Sequence, residues 1–128
     1  MWRCESPCCS TCSEPFHPEV GEKFTCQIYR GRDFAFESAV APYQSRGLVR
    51  ELIHRFKYRQ QLFLRPLLGQ LMLKANEDPR MTEMAAAEWV AVPVPLHPRR
   101  HRERGFNQAQ ELSRAWSKAT KIPTRLAL

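Results

Sequence analysis

The stretch Trp89-Val90-Ala91-Val92-Pro93-Val94-Pro95-Leu96, running straight into His97-Pro98-Arg99-Arg100-His101-Arg102-Glu103-Arg104-Gly105-Phe106-Asn107-Gln108, decides the fold. Its first part is uncharged and β-branched, as in a strand buried on both faces, with prolines only towards the exit end. His97–Gly105 then reads as a basic loop, four arginines against the single acid Glu103. Beyond it, Phe106, Ala109, Leu112, Trp116 and Ala119 recur at helical spacing, predicting a buried helix face that stops before Pro123. Strand, basic loop and helix form the unit of an α/β sheet, whose ligands bind beyond the carboxyl ends of its strands. Arginine forks match phosphate oxygens, Gly105 permits close backbone approach, and a helix opening at Asn107 offers free N–H groups. Together these predict an anion site.

Upstream, Phe36–Tyr43 partly alternates and reads as a short edge strand or hairpin arm, with Pro42 keeping it off a sheet centre. Ser45 is the expected N-cap of a helix reaching about Tyr58, with Leu48, Val49, Leu52, Ile53 and Phe56 on its buried face. A second helix is expected from Pro66 to Asn76, burying Leu67, Leu68, Leu71 and Met72. Met81–Glu88 is a short helix-compatible stretch.

Of 128 residues, 43% are hydrophobic, too many for a disordered tail, and the net charge is +7. The excess is local. Residues 44–65 hold six bases against one acid and residues 97–128 eight against two, whereas residues 1–43 and 66–96 are net acidic. Two basic patches beside a strand point to a polyanion such as phosphate, pyrophosphate or nucleic acid. The longest apolar run, Trp89–Leu96, falls well short of the ~20 residues of a membrane-spanning helix, and no apolar leader follows Met1, so a cytoplasmic protein without membrane insertion is expected.

All five cysteines fall within the first 26 residues. An odd count without a leader argues against a disulfide framework and for metal ligation. Cys9-Ser10-Thr11-Cys12 is a C-x-x-C knuckle able to give two thiolates to one tetrahedral Zn²⁺. Residues 1–35 have too few bulky apolar groups to hold a fold, and structural zinc can supply on the order of 10 kcal/mol in their place. Cys26 is the third candidate, but a second knuckle would place its partner at Tyr29, a poor ligand. The fourth position is left open among Cys8, Cys4 and His17.

Val92-Pro93-Val94-Pro95-Leu96-His97-Pro98-Arg99-Arg100, with Arg102-Glu103-Arg104-Gly105-Phe106-Asn107-Gln108-Ala109 and Leu112, resembles the ComF family of phosphoribosyltransferase-like proteins. Tyr43, Leu48, Leu52-Ile53 and Phe56-Lys57-Tyr58 resemble its preceding helix motif, and the cysteine-rich head resembles its zinc ribbon. The resemblance implies an α/β chain: the N-terminal part of a type I phosphoribosyltransferase-like fold (residues 36–128) preceded by a small zinc-ribbon-like module (residues 1–35). It implies binding of 5-phosphoribosyl 1-pyrophosphate (PRPP), with Mg²⁺ in a complete family member, and a link to DNA uptake in competence. Arg99, Arg100 and Arg104 would meet the pyrophosphate, Gly105, Asn107 and Gln108 would shape the loop and helix start, and Lys57 would face the same cleft. Metal ligands would be Cys9, Cys12, Cys26 and Cys8. The family's acidic pair and Thr/Gly-rich loop have no counterpart before Leu128, so the expectation is a C-terminally truncated homologue without transferase activity. The alternative is a zinc-ribbon module binding single-stranded DNA through the basic patches at 46–59 and 99–104, or docking on the DNA-uptake machinery.

Overall fold

Phe56, Leu64 and Leu68 are the buried centre of a small helical core in the computed structural model, which describes residues 7–16, 25–82 and 89–126. Five α-helices carry the described chain: α1 (Gly47–Tyr58), α2 (Arg65–Leu73), α3 (Pro79–Thr82), α4 (Pro98–Arg104) and α5 (Gln108–Thr120). Short 3₁₀ turns at Leu62–Leu64 and Lys74–Glu77 flank α2. No membrane-crossing helix, long and apolar enough, occurs among the described residues.

Leu52 and Ile53 of α1, Leu71 of α2, Phe106 and Leu112 pack against the three buried residues. The Phe56 and Phe106 rings meet at 5.3 Å, tying α1 to the start of α5. Helix α2 lies closely on α5: a methyl group on the buried Gly69 would come within 3.1 Å of Ala115 Cβ. Trp116 is buried on the same side, and its indole N–H donates to Asn76 Oδ1 at 3.1 Å. Helix α5 ends at Lys121, which adopts the left-handed conformation just ahead of Pro123.

Several expectations from sequence are corrected here. The N-cap of α1 is Arg46, not Ser45, and no side chain caps it. Helix α2 begins at Arg65 and tightens into a 3₁₀ turn from Lys74, so its last turn is not α-helical. Leu48 and Leu67, assigned to buried faces, are 62% and 43% exposed, and Ala119 is exposed on α5. Of the helix-compatible stretch Met81–Glu88, Met81 and Thr82 are helical, as the end of α3 (Pro79–Thr82), and residues 83–88 lie outside the described residues. Among the described residues, 36–43 form no continuous strand, with Tyr43 alone in a β-bridge, and they give two backbone N–H groups to the cysteine head.

The largest correction concerns 89–96. This segment is extended but not a buried strand. Val92 and Val94 are 57% and 74% exposed, and its one pairing among the described residues is an isolated parallel bridge between Ala91 and Thr124. In that bridge Ala91 N–H donates to Pro123 O at 2.8 Å, and Arg125 N–H donates to Ala91 O at 2.9 Å. A strand is buried by neighbours on its edges and faces. Here the described residues give one partner at one position, so the valine pattern is not matched by burial. The segments on either side of α4–α5 do run parallel where they meet, a path consistent with a β–α–β connection. A phosphoribosyltransferase sheet is not formed by the described residues.

Candidate functional site: a cysteine knuckle and a basic cleft

The head is built by a tight turn. Cys9 N–H donates to Glu14 O at 2.8 Å, Ser13 N–H to Cys9 O at 3.0 Å, and Phe16 N–H to Pro7 O at 3.2 Å, with Cys8 and Pro15 bridged antiparallel. Ser13 takes positive φ (63°) to close the turn. Cys26 opens a second turn, its carbonyl accepting from Tyr29 and Arg30 N–H, while its own N–H donates to Cys9 Sγ at 3.3 Å. The result brings the Sγ atoms of Cys9, Cys12 and Cys26 within 4.8 Å of one another, Cys12 and Cys26 at 3.7 Å.

Tetrahedral zinc–thiolate bonds of about 2.3 Å require sulfurs about 3.8 Å apart. The three soft donors are of the type a Zn²⁺-type ion takes and supply three of its four ligands at near that spacing, so the cluster can hold a metal. Burial raises the Cys9 thiol, but the amides of Cys26, Cys12 and Thr11 and the Cys12 side chain outweigh it and bring the group down to about 7. Burial, together with the neighbouring Cys9 and Cys26 sulfurs, pushes Cys12 up to about 11. Burial above all, with the neighbouring sulfurs, thus favours the protonated Cys12 thiol, and a bound cation would favour the thiolate instead. Cys8 does not join the cluster: it adjoins Cys9 on the extended, bridged arm, where successive side chains diverge. Cys4 and His17 lie outside the described residues. Tyr29, standing where a fourth cysteine would fall, packs its ring on Phe34 at 4.7 Å and Phe36 at 6.1 Å.

Arg80, in α3, reaches this head. Its NH1 donates to Ser10 O at 2.7 Å and its NH2 to Ser13 Oγ at 2.8 Å. Asp78 grips the same guanidinium through both carboxylate oxygens, at 2.8 and 2.7 Å. That hydrogen bonding holds Arg80 above and Asp78 below their ordinary pKa values. Ser13, almost fully buried, also donates to Ala39 O at 2.8 Å and accepts from Ala41 N–H at 3.4 Å.

The basic segment is not a loop. Pro98–Arg104 forms α4, opened by Pro98 and by His97, whose Nδ1 accepts from Arg99 N–H at 3.2 Å, and closed by Gly105 at φ 77°. Helical spacing divides the arginines between faces. Arg99 turns to Glu103 (3.2 Å, i to i+4) and is largely exposed. Arg100 and Arg104 turn towards the end of α1, where they line a cleft of about 340 Å³ with Lys57, Tyr58, Gln60 and Glu103. The Arg104 guanidinium sits 4.7 Å above the Tyr58 ring, which also packs on His54. Gln60, at φ 51°, reaches across to Glu103 O at 3.4 Å.

Of the residues expected to meet an anion, the structure thus brings Lys57, Arg100 and Arg104 together and turns Arg99 aside. Gly105, Asn107 and Gln108 take other work. Gly105 supplies the left-handed cap of α4. Asn107 Oδ1 accepts from Ala109 and Gln110 N–H, and its Nδ2 donates to Val94 O at 3.1 Å. Two of the amides expected to be free at the start of α5, those of Ala109 and Gln110, are therefore capped. Gln108 is 7% exposed with no partner for its Nε2. Tyr58 and Gln60 were missed as cleft residues, although Tyr58 stands within the helix motif already noticed. Arg80 and Ser13, far apart in sequence, gave no signal.

No family model matches the chain. No solved structure matches it. Competence protein F of Haemophilus influenzae is 36% identical over 72 residues, or 56% of this chain. The match covers 31% of that protein, so the chain spans about a third of the length of the curated relative it matches. This likeness supports the resemblance read from the motifs: over a little more than half of its length the chain is similar to a competence protein F.

Proposed function

We propose that the chain serves competence-linked handling of DNA as a ComF-like phosphoribosyltransferase homologue, and that the cleft between α1 and α4 binds the phosphates of its ligand. The observation that carries this is the convergence of Lys57, Arg100 and Arg104 on one cleft, from segments more than forty residues apart. A pyrophosphate-bearing sugar such as PRPP, with Mg²⁺, is the small ligand the homology suggests. Guanidinium forks and an ammonium supply charge-assisted hydrogen bonds to its oxygens, while Gln60 holds the two walls together. No residue of the cleft is placed as a nucleophile or general base, so the cleft's contribution is binding and charge neutralisation. In the head, Cys9, Cys12 and Cys26 would hold a structural zinc, which supplies folding energy.

Calorimetric titration of PRPP with Mg²⁺ into the wild-type chain and into Lys57→Gln/Arg100→Gln tests the site. Binding weakened at least tenfold in the double variant supports it. Equal heats in both place the ligand elsewhere.

A second reading, single-stranded DNA, is favoured by the same geometry, because the cleft joins the basic patches at 46–59 and 99–104. Side chains on two helices can follow a phosphate chain without wrapping one diphosphate. Binding of an oligonucleotide should then weaken steeply with salt, and Arg100→Gln should lower the slope of log K against log salt by about one. A salt-independent affinity removes this reading.

A further inference from the structure

We propose that Arg80 is the positioning residue of the metal knuckle: it fixes the Cys9–Cys12 turn for metal capture and latches the loaded head to the helical body. This rests on the zinc reading of the three cysteines. Two of its hydrogen bonds fall within or beside the C-x-x-C turn, on the carbonyl of Ser10 and the hydroxyl of Ser13. Those acceptors are residues of the turn whose shape sets the separation of the Cys9 and Cys12 sulfurs.

The guanidinium is itself immobilised. Asp78 holds it with both oxygens and accepts as well from the Arg80 backbone N–H at 2.9 Å, fixing both ends of the side chain. The Arg80 and Asp78 side chains are only 25% and 23% exposed. Nothing in the packing of α3 asks for an arginine here, since the helix buries none of its residues. The chemistry of a thiolate site does ask for one. Three or four thiolates around a divalent cation leave net negative charge, and a fixed cation at the carbonyl side of the turn offsets it. Groups that orient metal ligands from outside typically change affinity 10–100-fold when removed.

Arg80 also joins distant parts of the chain. Ser13 Oγ is shared by Arg80, Ala39 O and Ala41 N–H, so the turn that carries two cysteines is tied at once to the segment leading into α1 and to the segment following α2. Loading the metal and docking the head are therefore linked through one hydroxyl and one guanidinium.

The test uses the full chain. Co²⁺ titration reports tetrahedral thiolate ligation through its visible bands, and competition with a chelator then gives the Zn²⁺ affinity. Arg80→Gln, which removes the charge and the fork, should lower that affinity at least tenfold and weaken or shift the cobalt bands. Arg80→Lys, retaining charge without the fork, should recover only part of the loss. Helical circular dichroism is the folding control. If Arg80→Gln loses helicity, Ser13→Ala, which removes only the shared hydroxyl, carries the test with a several-fold loss expected. Wild-type binding with the Arg80 or Ser13 variants within twofold of it overturns this proposal and leaves the zinc reading standing. Absence of cobalt–thiolate bands in the wild type overturns the zinc reading itself.

Discussion

The cysteine head and the helical body solve the same problem by opposite means. In the body the fully buried side chain is Phe56, surrounded by leucines and a second phenylalanine, and helices pay their ordering entropy with apolar area. In the described head it is Cys9, surrounded by sulfur, hydroxyl and backbone. Among the described residues of the head the contacts are hydrogen bonds, the Arg80 guanidinium and three thiols close enough to share a metal ion. A metal-loaded head would be fragile to loss of the ion and its charge balance, and the body to loss of volume.

Chelation should break that comparison most visibly. Removing zinc from the loaded chain withdraws on the order of 10 kcal/mol from the head. Hydrogen exchange at the amides of Cys9, Ser13 and Ala39 should become fast, while protection in α2 and α5 persists. Loss of protection in both at once would mean that the two halves form one cooperative unit. Phe56→Ala attacks the other half, where truncating a buried phenylalanine costs about 3–5 kcal/mol. Thermal unfolding followed by circular dichroism should show most of the helical stability gone, with the cobalt–thiolate bands weakening as the segment that carries Arg80 unfolds.

Gly69→Leu probes the same body more gently. The side chain would have to enter the 3.1 Å gap to Ala115, and overpacking of this kind costs about 1–3 kcal/mol, read as a lower unfolding midpoint. Asn107→Ala should cost about 1 kcal/mol by uncapping α5 and releasing Val94 O, again measured by thermal unfolding.

These sites show what was legible in the sequence. Helices α1, α2 and α5 were readable because each buries one stripe, and a 3.6-residue period survives in any context. Cys9 and Cys12 were readable because a C-x-x-C knuckle is a local turn with fixed spacing, whereas Cys26 and Cys8 were named only as further cysteines, and of the two only Cys26 joins the cluster. The strand at 89–96 was not, since a run of valines states a preference for burial and cannot state what will cover it. Helix α4 was hidden by its arginines, read for charge, although Pro98 at its first turn and Gly105 at its end are ordinary helix punctuation. That one misreading redistributed the site: on a loop the arginines converge, on a helix they separate, and Asn107 becomes a cap. Arg80 was invisible because its acceptors, Ser10 and Ser13, are 70 and 67 residues away.

The smallest effect expected is a dependence on acid at the seam between the two halves. The Arg80 hydrogen bonds hold Asp78 below the usual carboxylate range. The folded carboxyl therefore binds its proton less readily than the unfolded one, so the seam's contribution is complete above the ordinary Asp value near 3.9 and is lost as pH falls through the depressed folded value. In the metal-free chain, where thiolate protonation cannot release an ion, the side-chain N–H signal of Arg80 should exchange faster over that interval. Asp78→Asn should remove the pH dependence while retaining one acceptor for Arg80. A curve unchanged in Asp78→Asn would assign the acid sensitivity to another carboxyl, such as Glu51 on α1 beside Arg55, and place it in the body instead of the seam.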